Sequence, residues 1–146
     1  MNISRKFMFK RSLIFSLILL LPVFLKAQGE GRIEVLDANA FEAKTTHIKG
    51  ALLDVRTSKE FSEGHLQGAQ NVDWDGKEFS DEVKKLPLNQ PVFVYCGGGY
   101  RSDEASKWMQ EKGFKNVIVL KDGYDHWKEL GKKVVIPPKA TTPDDK

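Results

Sequence analysis

The stretch Tyr95–Ser102 reads Tyr-Cys-Gly-Gly-Gly-Tyr-Arg-Ser and holds the single cysteine of the chain, Cys96. One cysteine cannot close an intramolecular disulfide and supplies one metal ligand, so a disulfide scaffold and a four-cysteine zinc site are both excluded. What remains is thiol chemistry. Gly97, Gly98 and Gly99 remove every Cβ from a tight turn, so that backbone N–H groups can converge on a point that side-chain bulk would block. Arg101 adds a permanent positive charge with a fork of donors suited to an oxyanion. A helix starting near Arg101–Ser102 aims its unpaired N–H groups and positive dipole end at the same place. Together these features favour thiolate over thiol at Cys96. A lone cysteine is by default a small buried hydrophobe. A strand-to-helix connection rarely carries three glycines, however, so a constraint on backbone approach explains them better than a plain linker.

The surrounding text must position that loop. Short apolar runs alternate with amphipathic stretches, the rhythm of strands that cross over through helices into a parallel sheet. Ile33–Leu36, Ala51–Val55, Pro91–Tyr95 and Val117–Leu120 read as strands, the last three as runs buried on both faces. Ala38–Lys44, Phe79–Leu86 and Ser102–Lys112 have helical spacing; in the last of these Ala105, Trp108 and Met109 share one face. The expected fold is α/β, a small twisted parallel sheet with helices on both faces. Ligands of such sheets sit at the carboxyl ends of the strands, and Cys96 directly follows the most apolar one.

This order of fragments resembles the rhodanese-like family of sulfurtransferases. The resemblance runs from about Ile33 to Leu130. It rests on Leu53-Asp54-Val55-Arg56 followed by Glu60-Phe61, on Gly64-His65-Leu66-Gln67-Gly68-Ala69-Gln70-Asn71, on Tyr95-Cys96 through Arg101-Ser102, and on Gly113-Phe114 with Val117–Leu120 and Trp127. It implies that Cys96 is the catalytic nucleophile, which takes a sulfane sulfur from a small donor such as thiosulfate and passes it to cyanide or a thiol. The amides and side chains of Gly97, Gly98, Gly99, Tyr100, Arg101 and Ser102 would hold the substrate, and no metal or organic cofactor is implied. The six-residue loop from Cys96 to Arg101 matches sulfur-transferring members; phosphatases of the same fold carry one residue more, which ranks phosphatase or arsenate reductase chemistry lower. A rhodanese-like module that binds without turnover is the alternative from a different class. One departure is Asp122-Gly123, where family members commonly have two glycines before the final helix.

Other residues support rather than react. Asp54 and Arg56, at the end of a strand, could pair with each other or with loop backbone behind the active loop. His65 reads better as the orienter of a turn than as a catalyst. His47, His65 and His126 lack ligand-like spacing. Tyr100 either contacts a donor or packs over the loop. Trp108 and Trp127 read as core, and Trp74 as a pocket wall or a cover for the sheet.

Charge is unevenly placed along the 146 residues. The chain carries +3 overall, yet residues 1–27 hold five cations and no acid, so the remainder carries −2 and offers no argument for nucleic-acid binding. Four cations in Arg5–Arg11 precede the uncharged stretch Ser12–Leu25, too short for a comfortable bilayer span of ~20 residues. Residues 1–27 therefore read as a signal peptide cleaved after Ala27, with the domain exported to the periplasm; the competing reading is an uncleaved anchor that tethers the domain outside the cytoplasm. The rhodanese-like domain is expected at residues 33–131, followed by a mostly flexible tail at 132–146. In an oxidising compartment a reactive thiolate is open to oxidation, so a reducing protein partner is expected unless persulfidation protects it.

Overall fold

The computed structural model describes residues 31–138. Residues 1–30, where the expected signal peptide falls, and residues 139–146 lie outside them. Five parallel strands form one sheet in the order β1-β5-β4-β2-β3, with β1 Arg32–Leu36, β2 Ala51–Asp54, β3 Gln70–Asn71, β4 Pro91–Tyr95 and β5 Asn116–Leu120. The central strands β4 and β5 are nearly all apolar because both of their faces are covered.

Side-chain alternation sorts the core into two layers. Val92 and Val94 of β4 and Val117 and Val119 of β5 pack with Phe79, Val83, Ala105 and Met109, the buried side chains of α3 (Phe79–Val83) and α4 (Tyr100–Glu111). Phe93 and Tyr95, with Ile118 and Leu120, point the other way, onto α1 (Ala38–His47) and α5 (Gly123–Glu129) through Phe41, Tyr124 and Trp127. Helices thus cover both faces, as parallel crossovers require. Asp37 starts α1 by accepting the N–H groups of Asn39 and Ala40 at 2.9 Å each.

The expected strands stand within a residue of their observed ends. Helix limits differ more. α1 runs on to His47, and α3 ends at Val83 because Lys85 and Leu86 turn back onto Glu82 and Val83 carbonyls in tighter, three-residue bonds. α2 (Ser58–Glu63) and β3 are too short to carry a periodic apolar signature. Beyond the expected domain end at residue 131 the chain keeps hold of the domain. Val135 and His65 exchange backbone hydrogen bonds at 2.7 and 3.0 Å, and Trp127 Nε1 donates to Lys133 O at 3.0 Å, so the first part of the expected flexible tail is fastened to the domain.

Candidate active site

The alternation that turns Val92 and Val94 toward α4 continues into Cys96, which joins the same layer and is only 1% exposed. The strand ends at Tyr95, and the chain reaches α4 through Gly97–Gly99. Gly99 has φ +99°, a left-handed conformation that a glycine adopts without Cβ strain. That geometry turns the Gly99 N–H onto Cys96 Sγ at 3.1 Å. Ser102 Oγ lies 3.5 Å from the sulfur and donates to Gly99 O at 2.9 Å. α4 begins at Tyr100, earlier than expected, and its first hydrogen bond runs from Asp103 N–H to Gly99 O. The amides of Tyr100, Arg101 and Ser102 precede that bond, so the helix end next to the sulfur is the electropositive one.

A second helix grips the loop from outside. Tyr124 N–H donates to Cys96 O at 2.7 Å and Asp125 N–H to Gly97 O at 3.1 Å, so the start of α5 clamps the carbonyls of the nucleophile and its neighbour. A Cβ on Gly123 would collide with those two carbonyl oxygens. Asp122, the departure noted in the sequence, takes φ +61°, a left-handed conformation that Asp tolerates better than most residues.

Arg101 does not stand open to an incoming anion. Its Nη1 and Nη2 donate to Glu60 Oε2 and Oε1 at 2.9 and 2.8 Å, a bidentate pair that fastens α2 to the active loop. Glu60 also accepts the N–H and hydroxyl of Thr57 at 2.9 and 2.8 Å, while Thr57 Oγ1 caps the Glu60 amide. Arg101, and then Thr57, hold the Glu60 carboxyl down to about 2 against the opposing effect of burial. The same hydrogen bonds raise the Arg101 pKa, with smaller contributions from Cys96 and Asp75. In the sequence Glu60 counts only toward the family resemblance, with no role of its own; the structure makes it the partner of Arg101, and its capping box with Thr57 is the local signal for its place on α2.

Asp54 and Arg56 pair with each other, the first of the two arrangements open to them. Arg56 Nε donates to both Asp54 oxygens at 3.0 Å and Nη2 to Oδ2 at 2.6 Å and Gly64 O at 2.7 Å. Burial opposes the Arg56 charge, but Asp54 outweighs it and the pKa is raised. The guanidinium lies 3.9 Å from the Tyr124 ring centroid and 5.8 Å from that of Tyr95. This pair therefore sits behind the loop and touches it through Tyr124 and Tyr95. His65 stacks on Phe61 at 3.8 Å, with Nδ1 3.0 Å from Phe61 O. Tyr100 is 76% exposed, so it does not pack over the loop. Trp74 packs edge-on to Phe79 at 4.8 Å against the apolar layer. Among the described residues no group of three or more His, Cys, Asp or Glu could hold a metal ion.

A parallel five-stranded sheet with a cysteine-glycine loop at a strand's carboxyl end defines an α/β protein with a thiol at its active loop. The chain belongs to the rhodanese-like domain family, whose profile matches residues 34–130. It is 31% identical over 87 residues to the thiosulfate sulfurtransferase GlpE of Pseudomonas fluorescens, covering 59% of this chain and 78% of that one. It is also 34% identical over 110 residues to the tRNA uridine(34) hydroxylase of Wigglesworthia glossinidia brevipalpis, covering 71% of this chain and 34% of that one. It thus spans about a third of the latter relative. Among solved structures, the rhodanese-like domain of the Alr3790 protein from Anabaena shares its fold at a TM-score of 0.64 and 24% identity, over 76% of this chain and 85% of that one.

Proposed function

We propose that the protein is a sulfurtransferase that moves sulfane sulfur through a persulfide on Cys96. The observation that carries this reading is the Gly99 N–H aimed at Cys96 Sγ from a glycine turn at the start of α4. A thiolate there attacks the outer sulfur of the donor, the sulfur–sulfur bond of the donor breaks, and its remainder leaves with the electron pair, as sulfite when the donor is thiosulfate. The new persulfide carries its negative outer sulfur beside the Gly99 amide and the first amides of α4. A thiol or cyanide then attacks that outer sulfur and Cys96 leaves as thiolate, so two displacements share one nucleophile. The likeness to GlpE supports this chemistry. Export is part of the proposal and rests on the basic cluster Arg5–Arg11 ahead of the uncharged Ser12–Leu25; so is a reducing partner that keeps the thiol active there.

The test is a sulfur-transfer assay with cyanide as acceptor, comparing the reduced protein with Cys96→Ala. Turnover that vanishes in the variant is expected. Equal rates in the two proteins would overturn the proposal. The N-terminal residue of protein isolated from its own cell tests export, with Gln28 expected.

A binding module without turnover is the second reading, favoured by the 1% exposure of Cys96 and by the pairing of Arg101 with Glu60. A Cys96 thiol that does not react with iodoacetamide in the folded protein would favour it.

A further inference from the structure

We infer that Glu60, with Asp125 beside it, is a specificity-determining residue that turns the mouth of the active loop against dianionic donors, so that the donor is an alkyl persulfide on a carrier without net negative charge. The inference rests on the sulfurtransferase reading and deepens it. The argument starts at Gly97, next to the nucleophile. A methyl group placed there would lie 3.3 Å from Asp125 Oδ2, 3.6 Å from Arg101 Nη2 and 3.9 Å from Glu60 Oε1, so one cation and two carboxylates meet beside the sulfur's own backbone. Glu60 takes one N–H from each of Nη1 and Nη2, two of the five donors of the guanidinium, and its carboxylate offsets the cation's charge. Asp75 is near enough to act on Arg101 as a further negative charge. Lys128 lies 3.8 Å from Asp125 Oδ1 and offsets part of its charge, while Asp103 and Glu104 share Lys107 at 2.7 and 2.9 Å. Arg56 is matched by Asp54. Arg101 and Lys128 therefore face Glu60, Asp75 and Asp125, one negative charge in excess.

Thiosulfate brings two negative charges into this field. Beside Arg101 it would lie against the Glu60 carboxylate that the guanidinium already holds. An alkyl persulfide, R–S–SH, brings no such double charge: Cys96 thiolate attacks its outer sulfur, the inner sulfur leaves as R–S⁻, and the persulfide proton stays on the transferred atom.

The experiment measures the rate of Cys96 persulfide formation, by mass, with thiosulfate and with cysteamine persulfide, whose ammonium group makes the reacting R–S–SH form a cation. Ionic strength is varied from ~0.01 M to ~0.15 M, over which the screening length falls from about 30 to about 8 Å. The thiosulfate rate should rise with salt and the cysteamine persulfide rate should fall. Glu60→Gln and Asp125→Asn should each raise the thiosulfate rate about threefold or more at low salt and lower the cysteamine persulfide rate, shifts that a merely structural role would not move in opposite directions. Asp125→Asn keeps the test open if Glu60→Gln fails to fold. A thiosulfate rate that falls with salt in the unmodified protein overturns the inference while leaving sulfur transfer intact. Absence of added sulfur on Cys96 with both donors overturns the sulfurtransferase reading and the inference with it.

Discussion

Two arginine–carboxylate pairs flank the active loop, and they do opposite work. Asp54–Arg56 is sealed, with side chains 0% and 5% exposed, three arginine contacts to one carboxylate and a tyrosine ring against the guanidinium. Glu60–Arg101 is open to water, with side chains 35% and 24% exposed, and it closes over the loop between residues 41 apart in sequence. A buried pair has lost its hydration and cannot be half-undone, so it fixes the backbone behind the cysteine. A solvated pair is cheap to open and close, so it can set the charge an incoming molecule meets. Similar chemistry thus yields a lock in one place and an adjustable charge in the other.

The largest way to break this contrast is Asp54→Ala. It leaves Arg56 charged in a closed site, and urea unfolding should show a loss of about 3–5 kcal/mol. A loss under about 1 kcal/mol would mean the site admits water and the contrast is false. Gly123→Ala comes next. A methyl group there meets the Cys96 and Gly97 carbonyls and sits at φ +66°, so a loss of about 1–3 kcal/mol is expected, together with slower transfer as α5 is pushed off the loop. Wild-type stability with wild-type rate would show that α5 does not hold the loop.

Glu60→Gln should cost under about 1 kcal/mol, because the pair it breaks is solvated, while its effect on donor choice is plain. Its pH signature sharpens the comparison. The Glu60 carboxyl titrates lower in the fold, at about 2, than its ordinary 4.5, so its contribution is fully present above 4.5 and is lost as pH falls through about 2. Unfolding midpoints of the unmodified protein and Glu60→Gln should therefore converge over that interval. A gap that stays constant would remove Glu60 from the account. The smallest effect belongs to Tyr100→Ala, which should leave stability unchanged within about 0.5 kcal/mol, its side chain being exposed.

What the sequence made legible follows from range. Strands β2, β4 and β5 and the glycine turn are written in contiguous residues, and strand parity alone places Cys96 on the α4 side of the sheet. The Asp54–Arg56 pair was within reach because its members lie two residues apart at a strand end. The partner of Arg101 was not, because a charge's preference for a carboxylate does not say which one, and Glu60 becomes its neighbour only after β2 and β4 have paired. The grip of α5 on the loop was hidden for a related reason. It is made by backbone amides of Tyr124 and Asp125, which carry no side-chain signature, and it needs Asp122 in a conformation that its residue type permits without announcing.

The central claim is that Cys96 accepts and releases a single sulfur atom. The most direct measurement is the mass of the Cys96 peptide from fully reduced protein, before and after a sulfane donor, and again after cyanide. The account predicts one added sulfur on Cys96, removed by cyanide as an equivalent of thiocyanate. An unchanged Cys96 thiol throughout, or sulfur that cyanide cannot discharge, would contradict it.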